Sequence, residues 1–222
     1  MRKQFILATA LGTAAVGVLP LTAAAAATHS QAHRAAAVLT TGKAGGTAVK
    51  RGATLQAGLQ KGSAVTFLTP GTKNGVTCKT ASFKDKVTKN PPSPGFAREL
   101  LISQHFGKCG VHGVGGATGV KGIVVKGLPY KTTIGGKSHG IALFKARTLL
   151  TLKTVIGTVT CSYGAATVKG TASNVGQVNK FTDQTFTLLS GSSACPKKGN
   201  FSATFGPVKD TSVKNSPHIF VN

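Results

Sequence analysis

"GTVTCSYG", residues 157–164, carries the pattern that decides the fold. With the three residues before it, Val155, Gly157, Val159, Cys161 and Tyr163 fall on one face of an extended chain. Thr154, Ile156, Thr158, Thr160 and Ser162 fall on the other. Successive side chains of a strand point to opposite faces, so this alternation marks a strand buried on one side. Its central tripeptide, Val159-Thr160-Cys161, has an earlier copy, Val76-Thr77-Cys78 in "NGVTCKT". The same parity puts Val76 and Cys78 on one face there too.

Further strands are expected at 63–68, 99–104, 121–126, 176–181, 184–189, 200–206 and 217–221, with glycine-bearing turns between them. Short strands at such spacing belong to sandwiches and barrels. "IALFKARTLL", 141–150, reads instead as a helix, because Leu143, Phe144, Arg147 and Leu150 share a helical face. "KNPPSPGF", 89–96, holds three prolines in four positions and is expected to be a stiff extended loop between strands.

The four cysteines organise the strands. Cys78 and Cys161 each follow a "VT", and each is answered some thirty residues later, by Cys109 and by Cys195. An even number of cysteines in an exported chain reads as disulfides, and four allow three connectivities. The repeat selects Cys78–Cys109 with Cys161–Cys195. In the chain-entropy model each contributes roughly 3–4 kcal/mol by constraining the unfolded chain. The expected fold is all-β, an immunoglobulin-like or related β-sandwich built from two disulfide-closed β subunits.

Export is read from the start of the chain. Arg2 and Lys3 precede an apolar run from Phe5 to about Leu21, broken near its end by Pro20 and followed by a stretch of small alanines. That is the layout of a cleaved signal peptide, expected to span residues 1–27. The run is too short and too interrupted by glycine for a transmembrane anchor. A single arginine favours the general secretory route over the twin-arginine one. "LPLTA" at 19–23 imitates a sortase signal at the wrong end of the chain. The expected organisation is a signal peptide, a flexible mature N-terminus over 28–43, and a single β-rich domain with two similar halves over 44–222. The expected localisation is secreted, extracellular.

Composition narrows the partners. The 222-residue chain has 27 basic residues against four acids (Asp85, Glu99, Asp183 and Asp210), a net charge of +23. Loss of Arg2 and Lys3 leaves about +21. Only five of the basic residues are arginine. Lysine is a solvated point charge without the guanidinium fork, suited to diffuse attraction rather than to shaped recognition of phosphate. The charge points to anionic polymers or surfaces outside the cell, with no specific nucleic acid.

Several motifs imitate chemistry. "GKSHG", 136–140, fits G-x-S-x-G with Ser138 as nucleophile, and His218 follows Asp183 and Asp210 downstream. The preceding "KGLPYKTTIG" makes a poor buried strand, and no β-α alternation supports a parallel sheet. "GVGGATG" at 113–119 and "GGKS" at 135–138 lack the strand and helix of nucleotide loops. His105, Cys109 and His112 have metal-ligand spacing, but Cys109 has a disulfide partner and no fourth ligand stands out. With four scattered acids, a glycosidase pair could only be assembled by long-range folding. Without tryptophan, and with Tyr130 and Tyr163 the only tyrosines, a sugar-stacking platform is poorly supplied. No catalytic, metal or cofactor-binding residues are assigned.

"NPPSPG", "GLPY", "LKTVIGTVTCSY", "FTDQTF", "ACPKKGNFSATFGPVKD" and the terminal "VN" together resemble a family of small exported β-rich proteins from actinobacteria, over about Ala44 to Asn222. The resemblance implies export and a β-rich fold, and supplies no catalytic residues. The heavy lysine content, at Lys84, Lys86, Lys89, Lys121, Lys126 and Lys131, departs from it. The expected function is a secreted, non-catalytic β-sandwich protein that associates with anionic cell-envelope or extracellular polymers. The alternatives are a small serine hydrolase using Ser138 and His218, and an extracellular protein-binding or inhibitor scaffold presenting loop 89–98.

Overall fold

The computed structural model describes residues 35–222, so the expected signal peptide lies outside the described residues. Among the described residues every regular element is a strand. β1 is Leu39–Thr41, β2 Thr47–Ala48, β3 Thr54–Gly58, β4 Val65–Leu68, β5 Gly75–Lys89, β6 Phe96–His112 and β7 Ala117–Val125. β8 is Tyr130–Gly135, β9 Gly140–Thr154, β10 Gly157–Ser173, β11 Val178–Ser190, β12 Lys198–Phe205, β13 Lys209–Asp210 and β14 Ile219–Val221.

The pairings close on themselves. From β5 the antiparallel order runs through β6, β8, β9, β10, β11, β12 and β4, and β4 pairs β5 again. β3 and β4 divide one side of β5 between them, at Ser82–Lys86 and Gly75–Cys78 respectively. β8 and β7 divide one side of β9 in the same way. Strands adjacent in sequence are mostly adjacent in space, a meander rather than the Greek key of immunoglobulin domains. The fold is all-β as expected, and the facing layers of the expected sandwich are opposite walls of this one sheet. A closed sheet leaves few unpaired edges.

Alternation fills the interior. Val76, Cys78, Cys161 and Tyr163 are all buried, as the parity of the two "VTC" copies requires. Val155 and Ile156 depart from it: they form the tight turn joining β9 to β10 and stand 82% and 94% exposed. The helix expected over 141–150 is strand β9. Lys145 adopts a φ of +59°, and the inward face changes there from Ile141 and Leu143 to Ala146, Leu150 and Leu152. One change of parity turns a two-residue period into spacings of three and four, which imitates a helical face. The β5–β6 hairpin makes the same change, from Cys78 to Ala81 on β5, with Lys108 at a φ of +51° on β6.

The N-terminal boundary is also corrected. The expected flexible stretch 28–43 includes β1, whose Leu39 and Thr40 are fully buried. β1 pairs β14 and β2 in a separate three-stranded sheet. Within the proline-rich stretch at 89–96, residues 90–95 are the β5–β6 connection, and it clamps this sheet. Val38 N–H donates to Pro91 O at 2.9 Å, Ser93 N–H to Ala36 O at 2.8 Å, and the Ser93 hydroxyl to Asn222 O at 2.7 Å. The Asn90 side chain adds bonds to Leu39 and Val49.

Both expected disulfides are present. Cys78–Cys109 joins directly opposed residues of β5 and β6, and Cys161–Cys195 joins β10 to the segment between β11 and β12. Each therefore closes one long hairpin. Such bonds belong to an oxidising, non-cytoplasmic environment.

Candidate functional site

The barrel encloses a cavity of about 110 Å³. Seven of its aromatic rings form a chain of edge-on contacts. From Tyr163 it runs to Phe67 (4.9 Å between centroids), Phe186 (5.9 Å), Phe201 (6.1 Å), Phe181 (6.2 Å), Phe205 (6.4 Å) and Phe83 (5.3 Å). Tilted and edge-to-face pairs at these separations suit the ring quadrupoles. All seven rings line the cavity.

Beyond Phe83 the lining turns polar. Asp85 from β5, Glu99 from β6 and Thr132 from β8 point inward and are only 6%, 3% and 4% exposed. Among the described residues no group donates to Asp85 Oδ1 or Glu99 Oε1, and Thr132 Oγ1 has no partner. Burial pushes the Asp85 carboxyl up to about 7, against the lowering effect of a hydrogen bond from Glu99. Glu99 is held well above the usual carboxylate range, by burial first and then by the charge and hydrogen bond of Asp85. Two carboxyls in contact in an apolar setting cannot both ionise at neutral pH, so the pair retains a proton. A second cavity of about 20 Å³ lies on the far side of the pair, walled by Leu39, Ile219 and Val221 of the three-stranded sheet. That sheet caps this end of the barrel.

Tyr130 and Asp210, also buried, are structural. The Tyr130 hydroxyl donates to Arg147 O and lies against Lys126 O, and it accepts the Arg147 N–H at 2.8 Å. Burial raises both tyrosines, Tyr163 to about 12. Asp210 is buried and accepts the Ser212 N–H and hydroxyl within its own turn.

The motif residues of the sequence are not brought together. Ser138 sits in the turn between two strands, β8 and β9, and its Oγ accepts the Gly140 N–H at 3.3 Å. A nucleophile elbow joins a strand to a helix. His218 pairs with Lys209 across an isolated bridge, and its carbonyl accepts the Gly42 N–H. No hydrogen bond among the described residues joins Ser138 to His218. His105 bonds Ser103 Oγ at 3.0 Å, and Cys109 is held in its disulfide. The expected loop 89–98 takes in the end of β5 and the start of β6, and Asn90, Pro91 and Ser93 between them fasten the terminal sheet.

The sequence reading weighed Asp183 and Asp210 as partners of His218 and left a carboxylate pair to long-range folding, without singling out Asp85 and Glu99. Their signal is parity: "FKDKV" puts Asp85 in step with Phe83 and Val87, and "ARELL" puts Glu99 in step with Ala97 and Leu101. An acid on the apolar face of two strands in one hairpin is a buried pair. No family model, curated protein or solved structure matches the chain.

Proposed function

We propose that the chain is an exported, non-catalytic binding protein that associates with anionic polymers of the cell envelope or its surroundings. The observation that carries this reading is the fate of the acids. Asp85, Glu99 and Asp210 are buried, so Asp183 is the one exposed acid facing a lysine-covered exterior. Lys89 stands directly opposite Arg98, and Leu100 of β6 is paired with both Lys86 and Lys131. Like charges opposed across strands are destabilising. A surface that keeps them without acidic neighbours is suited to a partner that supplies the counter-charge. Export rests on the two disulfides and on the layout of residues 1–27.

The test is co-sedimentation with isolated cell walls across a salt series. Binding at low salt should fall steeply toward physiological ionic strength, where exposed charges are screened beyond about 8–10 Å. Lys86→Glu, Arg98→Glu and Lys131→Glu together should weaken it further. Absence of co-sedimentation at low salt overturns the proposal. Anionic vesicles and DNA, run alongside, report whether the attraction is selective for wall polymers.

A further inference from the structure

We infer that the barrel interior is a binding site for a compact, neutral, apolar molecule ending in a hydroxyl group, an alcohol or a phenol. The site is independent of the exterior charge on which the polyanion reading rests.

Two separate observations meet at one place. The first is the cavity, whose aromatic chain offers ring faces and edges to an apolar body. Its volume of about 110 Å³ is comparable to the cavity of about 150 Å³ that admits benzene in a protein core, which limits the guest to roughly one ring. The second is a set of unpartnered oxygens on three residues that line it: Asp85 Oδ1, Glu99 Oε1 and Thr132 Oγ1. Folded proteins rarely leave buried polar atoms without partners, because each has lost its water and gained nothing in return. Thr132 stands on a different strand from the two acids, and nothing in the carboxyl pairing accounts for its free hydroxyl.

The chemistry of these atoms selects the guest. Both carboxyl oxygens are acceptors in need of a donor, and the threonine hydroxyl can donate or accept. A guest hydroxyl can donate to the pair and accept from Thr132. An anionic guest would face the carboxylate of the pair in a poorly screened interior. A cation would have to approach through the field of an exterior with one exposed acid. A plain hydrocarbon fills the cavity and leaves the three oxygens unpartnered. Tyr130 and Arg147 also line the cavity, but the Tyr130 hydroxyl is engaged by the backbone of Lys126 and Arg147 and does not compete.

The experiment titrates the folded, oxidised protein with 4-ethylphenol, ethylbenzene and 4-ethylbenzoate, by calorimetry and by the methyl carbon spectra of Thr132, Ile134 and Leu101. It is run at high salt, where the exterior charge is screened and polyanion binding does not contribute. The expected result is binding of 4-ethylphenol at least about tenfold tighter than ethylbenzene, no binding of 4-ethylbenzoate, and methyl shifts confined to the cavity wall. Thr132→Val, close in shape, should weaken 4-ethylphenol severalfold and leave ethylbenzene unchanged. Equal affinity for phenol and hydrocarbon, or no binding of either to the solubility limit, overturns the proposal. Those outcomes leave the reading of the exterior untouched, just as loss of wall binding would leave this one.

Discussion

At one end of the barrel Tyr163, Phe67 and Cys161 lie beneath a segment anchored by a covalent bond. At the other, Asp85, Glu99 and Thr132 lie beneath a three-stranded sheet held by hydrogen bonds. The first end is aromatic, and its cover, Cys195-Pro196, is fixed by the disulfide and by the Tyr163 hydroxyl, which donates to Pro196 O at 2.9 Å. The second end is polar, and its cover is fastened by Asn90, Ser93 and Asn222. The Asn222 amide donates to Ala37 O at 2.8 Å and to Thr40 Oγ1 at 3.0 Å. Burial is nearly complete at both ends, but among the described residues only the polar end leaves buried side-chain oxygens without partners. Closing a barrel and building a receptive site are therefore separate tasks here, given to opposite ends.

The sharpest way to break the contrast is to remove the covalent fastening. Cys161→Ala with Cys195→Ala opens a loop with a sequence separation of 34 and should cost roughly 3–4 kcal/mol in urea unfolding. The aromatic end should loosen first, with amide exchange in 191–197 rising before that of β1 and β14. Uniform loss of protection at both ends would mean that the disulfide does not act locally.

The polar end is probed by pH. Asp85 rises from 3.8 in the unfolded chain to about 7 in the fold, and Glu99 is raised as well. Between about pH 4 and pH 7 the folded protein thus holds more protons than the unfolded one. Stability is then greatest near the low end of this window and falls as pH rises through it. The only other side-chain acids are Asp183, which is exposed, and Asp210. A urea midpoint that falls from pH 5 to pH 8 in the native protein, and falls less steeply in Glu99→Gln, where Asp85 stays buried and raised, is the expected result. A midpoint that rises over that range would show the pair to be ionised in the fold.

Much of this was legible in the sequence, because alternation and cysteine spacing are local signals. The inward face of "VTC" and both disulfide pairings follow from them. The strand at 141–150 did not, because the parity change at Lys145 depends on how β9 and β10 bend together. Closure of the sheet through β4 and β12 was equally hidden, since the pairing of Phe67 with Phe201 is set by the whole circuit of strands. The cavity follows only once that circuit is closed. Asp85 and Glu99 fall between these cases: their parity was readable, but their contact requires the β5–β6 register, which shifts at Lys84–Asp85.

The smallest expected effects come from single hydrogen bonds at the two covers, and they test whether the ends are fastened independently. Tyr163→Phe leaves the ring in contact with Phe67 and removes only the donor to Pro196 O, at a cost of about 1 kcal/mol. Asn222→Ala removes several partners of the terminal sheet and should cost about 1–2 kcal/mol. Sites this far apart, with no shared partner, should add to within about 0.5 kcal/mol in the double variant. A larger coupling in the urea midpoints would mean that strain passes along the aromatic chain from Tyr163 to Phe83. The two ends would then be one cooperative unit, and a guest in the cavity between them would stabilise both covers at once.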